Sequence, residues 1–510
     1  MIVNRIRKHL AFLLFIGLVS CQTQTRDTFR IETVDYVKLN EEAYLEVATV
    51  ADGLHVPWGM DYVDNKIVFT EITGTVKQLD LATGVVSILL KLEGVFHKRT
   101  PGLLDIAIQK TGETDPYVVL NYTTEEGEKI VSNLVRYTYT GDTLKDPKKL
   151  LAVRGYLGHN GARVIIDDRD IIYWATGDVA DNTQAQDSTT LNGKILRLDM
   201  DGGIPADNPI PGSYVYAWGF RNMQGLTMDG QGNIFTSEHG DAIEDEINLI
   251  RPLHNYGWPL AEGIHDTPEE LAITDSIRLT EPIRSWTPVV APAGLAYYEH
   301  SRIPEWKNTL LLGTLKSQTL RVLSLNEDHT AISGEKVYFS DRYGRIRDVL
   351  AAPNGDVYIS TSNRDWNPQP GFPLKTDDRI LRIRTTSDIP GGWAYIEEDV
   401  QEETGTLDGA ALYKNYCASC HKPDGLGIAG NFPPLKGSRR INNTAAFIGV
   451  LLNGTDGKEP IGGVRYNQPM ASFSFLKDEE LSAIINYVNT EFGNGRLIQT
   501  KEVTNHRTTD

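Results

Sequence analysis

The stretch Gly161-Ala162-Arg163, followed ten residues later by Ile171-Ile172-Tyr173-Trp174, shows the unit that decides the fold of this 510-residue chain. The first run is small and apolar, the second is rich in β-branched and aromatic residues, and a polar turn separates them. Short apolar runs divided by Gly, Asp and Asn turns are typical of β-strands. Similar units begin near six positions, which are Gly59, Gly102, Gly161, Gly225, Gly294 and Arg347.

Six such units predict a six-bladed β-propeller with four-stranded blades over residues 41–388. The early run Tyr44-Leu45-Glu46-Val47 is expected to complete the last blade and so close the ring. A two-sheet sandwich is the alternative fold, although six similar units exceed what a sandwich needs. We therefore expect this part of the chain to be all-β.

The composition changes after Ile389-Pro390-Gly391-Gly392, where acidic residues accumulate. Residues 389–405 are predicted to be an acidic linker, although a structured acidic surface is the alternative. Helical periodicity follows, and Leu481, Ile484, Ile485 and Val488 form a stripe at i, i+3, i+4 and i+7. The sequence thus predicts a small all-α domain over 406–495 and a polar tail over 496–510.

The helical region contains Cys417-Ala418-Ser419-Cys420-His421. Two thiols at this spacing can each bond a vinyl group of haem, and the adjacent imidazole can ligate the iron. A redox dithiol or half of a zinc site are the alternatives, but the sequence has neither a βαβ pattern nor a second cysteine pair. Met470, the only methionine after Met228, is the candidate for the second axial ligand.

The segment from Thr406 to Gly495 resembles class I cytochrome c, with the cysteine motif, Pro433-Pro434-Leu435, Met470 and a last helix around Tyr487. The resemblance implies haem c bound through Cys417 and Cys420, with His421 as the proximal and Met470 as the distal ligand. A His/Met pair raises the reduction potential, which suits an electron acceptor.

The N-terminal 20 residues have the pattern of a signal peptide. A basic start precedes an apolar run from Leu10 to Val19, which is too short to span a bilayer comfortably. Leu18-Val19-Ser20-Cys21 resembles the bacterial lipobox, which implies lipidation of Cys21 and a tether over 21–40. An ordinary cleaved signal peptide or an uncleaved anchor are the alternatives, and both also export the chain. We therefore expect a periplasmic or cell-envelope protein held at a membrane by lipid.

The composition limits the partners. The chain carries 68 acidic and 50 Lys and Arg residues, for a formal net charge of -18. Nucleic-acid binding requires a basic face, so we expect no nucleic-acid partner. The negative field instead favours approach of a basic electron-transfer partner.

Motifs along the propeller resemble the soluble-type quinoprotein sugar dehydrogenases, and they occur in matching order and spacing. They are Gly158–Arg163, Trp174–Asp178, Gly193–Leu198, Ile204–Pro209, Ala217–Leu226, Ser237–Gly240, Asp245–Ile250 and Asn255–Pro259. The resemblance implies pyrroloquinoline quinone (PQQ) held with calcium at one end of the propeller, and oxidation of the C1 hydroxyl of aldoses to lactones.

Carried over by motif, His159 is the general base, Asp178 orients it, and Arg221 stabilises charge that develops on the quinone oxygen. The resemblance also implies PQQ contacts at Asn222, Gln224, Lys316, Arg345 and Arg347. It implies calcium ligands at Gly240, Asp241, Glu246 and Tyr256. Each has a plainer alternative, because a histidine or aspartate in a turn is often only a loop residue, and Arg345 and Arg347 can be a solvated strand edge.

Three positions depart from the family pattern. Thr100 stands where a glutamine is usual, Gly158 where some relatives have an acidic residue, and Asp241 where proline is usual. A carboxylate at Asp241 can add an oxygen ligand or disturb the loop.

The leading hypothesis is an exported, lipid-anchored quinohaemoprotein that oxidises an aldose and passes electrons through its haem to a respiratory acceptor. One alternative is a catalytically silent propeller that binds a sugar or a protein beside an electron carrier. Calcium-dependent lactone hydrolysis ranks last, because the cytochrome would then have no purpose.

Overall fold

A computed structural model describes residues 27–28, 31–112, 115–397, 408–455, 457, 460–461, 463–464, 466 and 469–507. These residues form a β-propeller followed by a small helical domain, so the predicted fold class is confirmed. The predicted signal peptide, the lipidation site Cys21 and the acidic residues at 398–403 lie outside the described residues. None of the described helices is long and apolar enough to cross a membrane.

Within the described ranges the strands form six antiparallel sheets, each of which is one blade. Blade 1 contains β1 (Asp27–Thr28), β4 (Pro57–Val63), β5 (Lys66–Glu71), β6 (Thr75–Asp80) and β7 (Val85–Lys91). Blade 2 contains β8 (Leu103–Ile108), β9 (Tyr117–Glu126), β10 (Lys129–Tyr139) and β11 (Leu144–Arg154). Blade 3 contains β12 (Gly161–Ile166), β13 (Ile171–Thr176), β14 (Lys194–Asp199) and β15 (Val215–Trp218).

Blade 4 contains β16 (Met223–Met228), β17 (Ile234–Glu238), β18 (Asp245–Ile250) and β19 (Arg284–Trp286). Blade 5 contains β20 (Pro292–Tyr298), β21 (Thr309–Thr314), β22 (Leu320–Leu325) and β23 (Ile332–Tyr338). Blade 6 contains β2 (Glu32–Lys38), β3 (Tyr44–Ala51), β24 (Ile346–Ala351), β25 (Val357–Thr361) and β26 (Ile380–Thr386). The innermost strands are β4, β8, β12, β16, β20 and β24, at the six predicted unit starts.

The ring is closed in blade 6 by pairing of β3 with β26, in which Val47 lies opposite Ile383. This confirms the predicted role of the run that begins at Tyr44. The next strand outward, β2, lies inside the predicted tether over 21–40 and pairs with β3. Val37 of β2 is fully buried in the core between blades 5 and 6, which is why the propeller starts earlier than predicted.

Glycine begins several inner strands because the blades approach each other closely at the axis. A Cβ on Gly59 would lie 2.4 Å from Asp105 Oδ1, and a Cβ on Gly294 would lie 2.2 Å from Asp348 Oδ1. No larger residue fits these positions without displacing a neighbouring strand. The glycine-led pattern of the sequence therefore follows from packing around the axis.

A separate hydrophobic cluster fills each of the six spaces between neighbouring blades. Trp174 packs between blades 2 and 3, and Tyr173, the adjacent residue of β13, packs between blades 3 and 4. Both faces of the strand are therefore covered by apolar residues. This explains why the second strand of each unit is almost continuously hydrophobic.

A buried ion network joins the inner strands at the centre. Arg163 Nη1 lies 3.0 Å from Asp105 Oδ1 of β8 and 2.8 Å from Asp348 Oδ1 of β24. Burial raises the pKa of Asp105 to about 7 and raises the pKa of Asp348, because one guanidinium faces two desolvated carboxyls. The network links blades 2, 3 and 6.

Two short helices, α1 (Thr183–Gln186) and α2 (Pro268–Thr274), and the 3₁₀ turn Pro304–Trp306 lie in propeller loops. The C-terminal domain contains α3 (Gly409–Tyr416), α4 (Ala418–His421), α5 (Thr444–Asn453), α6 (Asp478–Glu491) and α7 (Thr500–Arg507). The predicted stripe on α6 is buried in the core of this domain. Helix α7 lies in the predicted polar tail over 496–510, but its Val503 is fully buried and Arg507 Nε lies 2.6 Å from Asp478 Oδ1.

Part of the predicted linker over 389–405 is attached to the propeller. The backbone N–H of Ile396 donates to Tyr36 O at 2.8 Å, and that of Lys38 donates to Ile396 O at 2.8 Å. The ring of Trp393 lies 5.5 Å from that of Tyr36. Residues up to 397 therefore extend the edge of blade 6.

Substitution of Arg163 by Met should destabilise the propeller by about 3–5 kcal/mol, because it leaves two buried carboxyls without their cation. The free energy of unfolding from chemical denaturation measures this. Arg169→Met is the matched control, since Arg169 is exposed and its pair with Asp167 should contribute less than about 1 kcal/mol. Equal losses in the two variants would contradict the central role of Arg163.

Candidate functional site

A cavity of about 1020 Å³ lies between one end of the propeller and the helical domain. The six inner strands all begin at this end. Residues just before these strands and at their first positions therefore face the cavity. From the propeller, the lining includes His159, Arg221, Asn222, Gln224, Lys316, Arg345 and Arg347. From the helical domain, it includes Cys417, Cys420, His421 and Met470. Residues from both predicted cofactor sites therefore meet in one space.

His159 and Asp178 form a hydrogen-bonded pair at the start of blade 3. His159 Nδ1 lies 2.9 Å from Asp178 Oδ1. With Nδ1 protonated and donating to the carboxylate, Nε2 is the ring nitrogen left to accept a proton from a ligand. The geometry is that of a base and its orienting carboxylate.

Asp178 is fully buried and is held from a second direction by Trp258. The indole Nε1 donates to Asp178 Oδ2 at 2.9 Å, and the backbone N–H of Ala180 donates to Oδ1 at 2.8 Å. Both carboxylate oxygens therefore have donors. Trp258 lies within a motif recognised in the sequence. Its contact with Asp178 joins residues 80 positions apart, so the neighbouring sequence does not predict it.

The surroundings of His159 favour its neutral form. Burial lowers the pKa of His159, and the positive charge of Arg221 lowers it further, against an opposing contribution from Asp178. A neutral imidazole can take a proton at neutral pH.

The Arg221 side chain is fixed by the loop after β17. Its Nη2 lies 2.8 Å from Asp241 Oδ1, and its Nη1 donates to His239 O at 3.3 Å. Its Nε is buried and has no partner among the described residues. The sequence offered two roles for Asp241, which were to add a calcium ligand or to disturb the loop. The structure shows a third role, an ion pair with Arg221, the predicted catalytic cation.

Asn222, Gln224 and Arg347 form one hydrogen-bonded group. Gln224 Nε2 donates to Asn222 Oδ1 at 3.1 Å, and Gln224 Oε1 accepts from Arg347 Nη1 at 3.2 Å. Beneath them, Arg163 Nε donates to the backbone oxygen of Gln224 at 2.6 Å. The central ion network therefore supports the predicted PQQ contacts directly.

Three cations, Lys316, Arg345 and Arg347, line the same wall. Asp365 Oδ2 lies 2.7 Å from Arg345 Nη2 and 3.9 Å from Arg347 Nη2. Burial lowers the pKa of Arg347 to about 9 and also lowers the pKa of Lys316. Arg347 Nε is buried without a partner among the described residues. This excess of buried positive charge suits a ligand with several carboxylates. Asp365 was missed by the sequence analysis.

The haem motif lies on α4, opposite these cations. His421 Nδ1 lies 2.9 Å from Pro433 O, so Nε2 is the nitrogen available to a metal, as is usual for ligating histidines. Burial lowers the pKa of His421, which keeps the imidazole neutral for ligation. Burial also raises the pKa of Cys417 to about 12, whereas a redox dithiol requires a lowered thiol pKa.

Met470 lies on a loop fixed to the end of α5. Backbone hydrogen bonds of 2.8 Å run in both directions between Met470 and Thr455. Met470 packs against the hydrophobic core of the domain and also lines the cavity. Two thiols, a neutral imidazole and a thioether thus line an apolar space, and this donor set fits haem c.

The predicted calcium residues fall in two places. Gly240 and Asp241 line the cavity, whereas Glu246 and Tyr256 are buried behind it. The Glu246 carboxylate accepts from Gly263 N at 2.7 Å and from Asn248 Nδ2 at 2.8 Å. Carboxylate and carbonyl oxygens are the donors that calcium prefers. Across the described residues no three His, Cys, Asp or Glu side chains form a metal-binding group, and calcium stays a prediction.

Thr100 and Gly158 also line the cavity. Thr100 Oγ1 donates to Leu157 O at 2.9 Å, so the hydroxyl is used to hold the loop before His159. The neighbouring Arg99 lies over the ring of Trp366 at 4.9 Å. The sequence analysis identified neither Arg99 nor Trp366.

The two domains contact each other around the haem motif. Asn367 Nδ2 donates to Ser419 O at 3.0 Å, and Lys422 Nζ donates to Asn367 Oδ1 at 2.6 Å. Lys316 Nζ donates to the backbone oxygen of Asn415. The lysine predicted to meet PQQ therefore contacts the helix that precedes the haem cysteines.

Comparisons with known proteins agree with this division. A family model described as Glucose / Sorbosone dehydrogenase matches residues 54–367, and a cytochrome c model matches residues 407–491. An aldose sugar dehydrogenase of Escherichia coli (strain K12) is 29% identical over 337 residues, covering 62% of this chain and 90% of that protein. A solved structure described as the PQQ-bound form of aldose sugar dehydrogenase from Streptomyces coelicolor has a TM-score of 0.58 and 30% identity, covering 68% of this chain and 99% of that chain. Cytochrome c-552 of Thermus thermophilus is 39% identical over 97 residues, covering 18% of this chain and 73% of that protein.

The pKa of His159, followed by NMR of the histidine ring, should lie below the ordinary value of about 6.5. In Asp178→Asn it should fall further, because the hydrogen bond and charge of Asp178 stabilise the imidazolium. Trp258→Phe keeps that charge and should shift the pKa less. A higher pKa in Asp178→Asn would contradict the assigned pair.

Replacement of Met470 by Ala should lower the reduction potential of the haem, because loss of the thioether removes the ligand that favours ferrous iron. Redox titration measures the potential, and loss of the thioether-to-iron absorption band reports the ligand itself. Met200→Ala, in the propeller, is the control. An unchanged spectrum in Met470→Ala would show that another residue ligates the iron.

Proposed function

The chain belongs to the glucose/sorbosone dehydrogenase family and carries a cytochrome c domain after its propeller, and from this we propose that it is a PQQ-dependent dehydrogenase that oxidises the C1 hydroxyl of an aldose to the lactone. The observation that carries the proposal is the single cavity lined by His159, the cation wall and the haem motif. A sugar dehydrogenase and its electron acceptor then share one space.

His159 Nε2 takes the proton of the C1 hydroxyl as C1 is oxidised, and a bound PQQ would supply the acceptor for the hydride that leaves C1. Asp178 holds Nδ1–H and stabilises the imidazolium that forms. Arg221, at the same wall, faces negative charge that develops on the acceptor oxygen.

PQQ, when bound, supplies a two-electron acceptor with three carboxylates. Lys316, Arg345 and Arg347 would hold those carboxylates, with Asn222 and Gln224 beside them. Among the described residues, Arg221 Nε and Arg347 Nε are buried without a partner, and a bound anion would satisfy these donors. The PQQ-bound state of the Streptomyces coelicolor relative supports PQQ as the cofactor.

Oxidation of one aldose to its lactone releases two electrons and two protons. Cys417, Cys420, His421 and Met470 would hold haem c, which would supply a one-electron acceptor, so the two electrons from each sugar would leave in two single steps. Because the cytochrome domain is part of the chain, this transfer needs no diffusional encounter. A respiratory acceptor then removes the electrons.

The proposal also includes calcium binding, export from the cytoplasm and attachment to a membrane by lipid. Gly240 and Asp241 would contribute oxygens to a calcium ion at the quinone, and Glu246 and Tyr256 to a second, structural one. The basic and apolar N-terminal residues and the lipobox-like stretch ending at Cys21 support export to the periplasm or cell envelope and attachment to a membrane. Thioether attachment of haem outside the cytoplasm agrees with export.

Haem reduction by sugar tests the activity. Haem-loaded protein lacking residues 1–21 is supplied with PQQ and calcium, and the haem absorption is followed as aldoses are added. His159→Ala should slow reduction by about 10²–10⁴-fold, because it removes the base. His300→Ala, at the far end of β20 and away from the cavity lining, is the control. Haem that stays oxidised with every aldose despite bound PQQ would exclude the activity and favour a silent binding module.

The pH dependence has a defined direction. The base must be neutral, so kcat/KM falls as pH drops through the pKa of His159. Since burial and Arg221 lower that pKa, the acid limb should lie below pH 6.5. Stopped-flow haem reduction across pH measures the limb, and an acid limb above pH 6.5 would contradict a neutral buried base.

A further inference from the structure

The Asn367 side chain is the centre of the contact between the two domains. Its amide donates to Ser419 O at 3.0 Å and accepts from Lys422 Nζ at 2.6 Å. Lys422 Nζ also donates to Pro368 O at 3.2 Å. Ser419 and Lys422 flank Cys420 and His421, so both ends of one amide hold the haem motif. We call Asn367 with Ser419 and Lys422 the docking contact.

Burial and aromatic packing strengthen the docking contact. Asn367 is only 7% exposed although it belongs to a loop. The preceding Trp366 lies 6.3 Å from the ring of Phe432 in the cytochrome domain and carries Arg99 on its ring at 4.9 Å. The loop of blade 6 thus contacts the cytochrome domain through both polar and aromatic groups.

This contact lies at the edge of the cavity that contains His159. Asn367, Trp366 and Phe432 all line that cavity. Its volume of about 1020 Å³ equals the upper end of pockets that hold a single ligand, roughly 300–1,000 Å³. In the present case the same volume has to serve the quinone, the haem face and the sugar. Space for the sugar is therefore small while the domains are docked.

From these observations we infer that the docked cytochrome domain is the outer wall of the sugar site and restricts the docked enzyme to single-ring aldoses. The inference rests on the proposed sugar dehydrogenase activity and names its substrate class. A disaccharide presents the same C1 hydroxyl at its reducing ring, but its second ring requires space that the cytochrome domain occupies. Separation of the domains admits the longer sugar and also takes the haem away from the quinone.

The docked cytochrome domain should therefore affect the rate of haem reduction and the relative turnover of disaccharide in opposite directions. Loss of the docking contact slows haem reduction, and it raises turnover of disaccharide relative to monosaccharide. If Asn367 had a purely structural role, its substitution would lower the turnover of both sugars together. This opposite movement distinguishes the wall from a general loss of stability.

The test compares glucose with maltose, whose reducing ring is the same. Asn367→Trp places a large ring in the docking contact and wedges the domains apart, while Asn367→Ala removes two hydrogen bonds and should shift the docking equilibrium by roughly tenfold. Asn354→Trp is the matched control, because Asn354 is exposed in the turn between β24 and β25 at the opposite end of blade 6. Turnover is measured with a small dye that accepts electrons from the quinone, and haem reduction by stopped flow.

In the unsubstituted protein and in Asn354→Trp, we expect glucose to be preferred over maltose by at least about tenfold, the loss that roughly 1.4 kcal/mol of hindrance produces. Asn367→Trp should bring the two sugars close to parity with the dye and slow haem reduction by glucose by more than about tenfold, with Asn367→Ala intermediate. An unchanged sugar ratio, or unchanged haem reduction, in Asn367→Trp would overturn the inference.

Hydrogen exchange separates this inference from the activity itself. In haem-loaded protein without PQQ or sugar, the backbone amides of residues 315–318, 365, 366 and 369 should exchange faster in Asn367→Trp than in Asn354→Trp. Equal exchange would overturn the docked wall even if the enzyme oxidises sugars. Faster exchange with no sugar oxidation by any variant would support docking, exclude the proposed activity and so overturn the restriction to single-ring sugars.

Discussion

The buried guanidinium of Arg163 is the interaction on which both the propeller and its site depend. It bonds Asp105 and Asp348 from two other blades, and it also donates to the backbone oxygens of Gln224 and Arg347. The cation that neutralises the axis therefore also fixes the strand ends that carry the cavity residues. Small displacements of the groups at such a site lower the reaction rate. The ion network that keeps the axis rigid therefore also keeps the cavity residues in place.

The cavity is positive on one side and apolar on the other. Lys316, Arg345 and Arg347 line the propeller wall, while the helical domain contributes its haem motif among hydrophobic residues. Asp365 offsets part of the charge on the propeller side. The positive wall suits the proposed quinone with its several carboxylates, and the apolar wall suits a porphyrin.

Much of this architecture follows from local sequence. Inner strands begin with glycine because a Cβ at Gly59 or Gly294 would meet a carboxylate of the central network. The closing strand and the buried stripe of α6 carry equally local patterns. By contrast, β2 and α7 are mostly polar and owe their positions to a few buried residues, Tyr36 and Val37 in β2 and Val503 in α7, which a periodicity argument misses. Trp258, Asp365 and Asn367 act on partners distant in the chain or in the other domain, and nothing in their neighbourhoods distinguishes them from ordinary loop residues.

Closure of blade 6 has a consequence for the order in which the protein acquires its structure. Strands β3 and β26 are more than three hundred residues apart in the chain, so the ring cannot close until nearly all of the propeller has been synthesised. Contacts of such long sequence separation form slowly, because a large loop must be ordered before they contribute. The segment that ends at Glu397 pairs with β2 at the edge of the same blade, so it also joins distant parts of the chain, whereas α3 to α7 are contiguous in the chain. The helical domain follows the propeller in the chain and folds from contacts between neighbouring segments, so its docking on the blade 6 loop that carries Asn367 requires both domains to have formed.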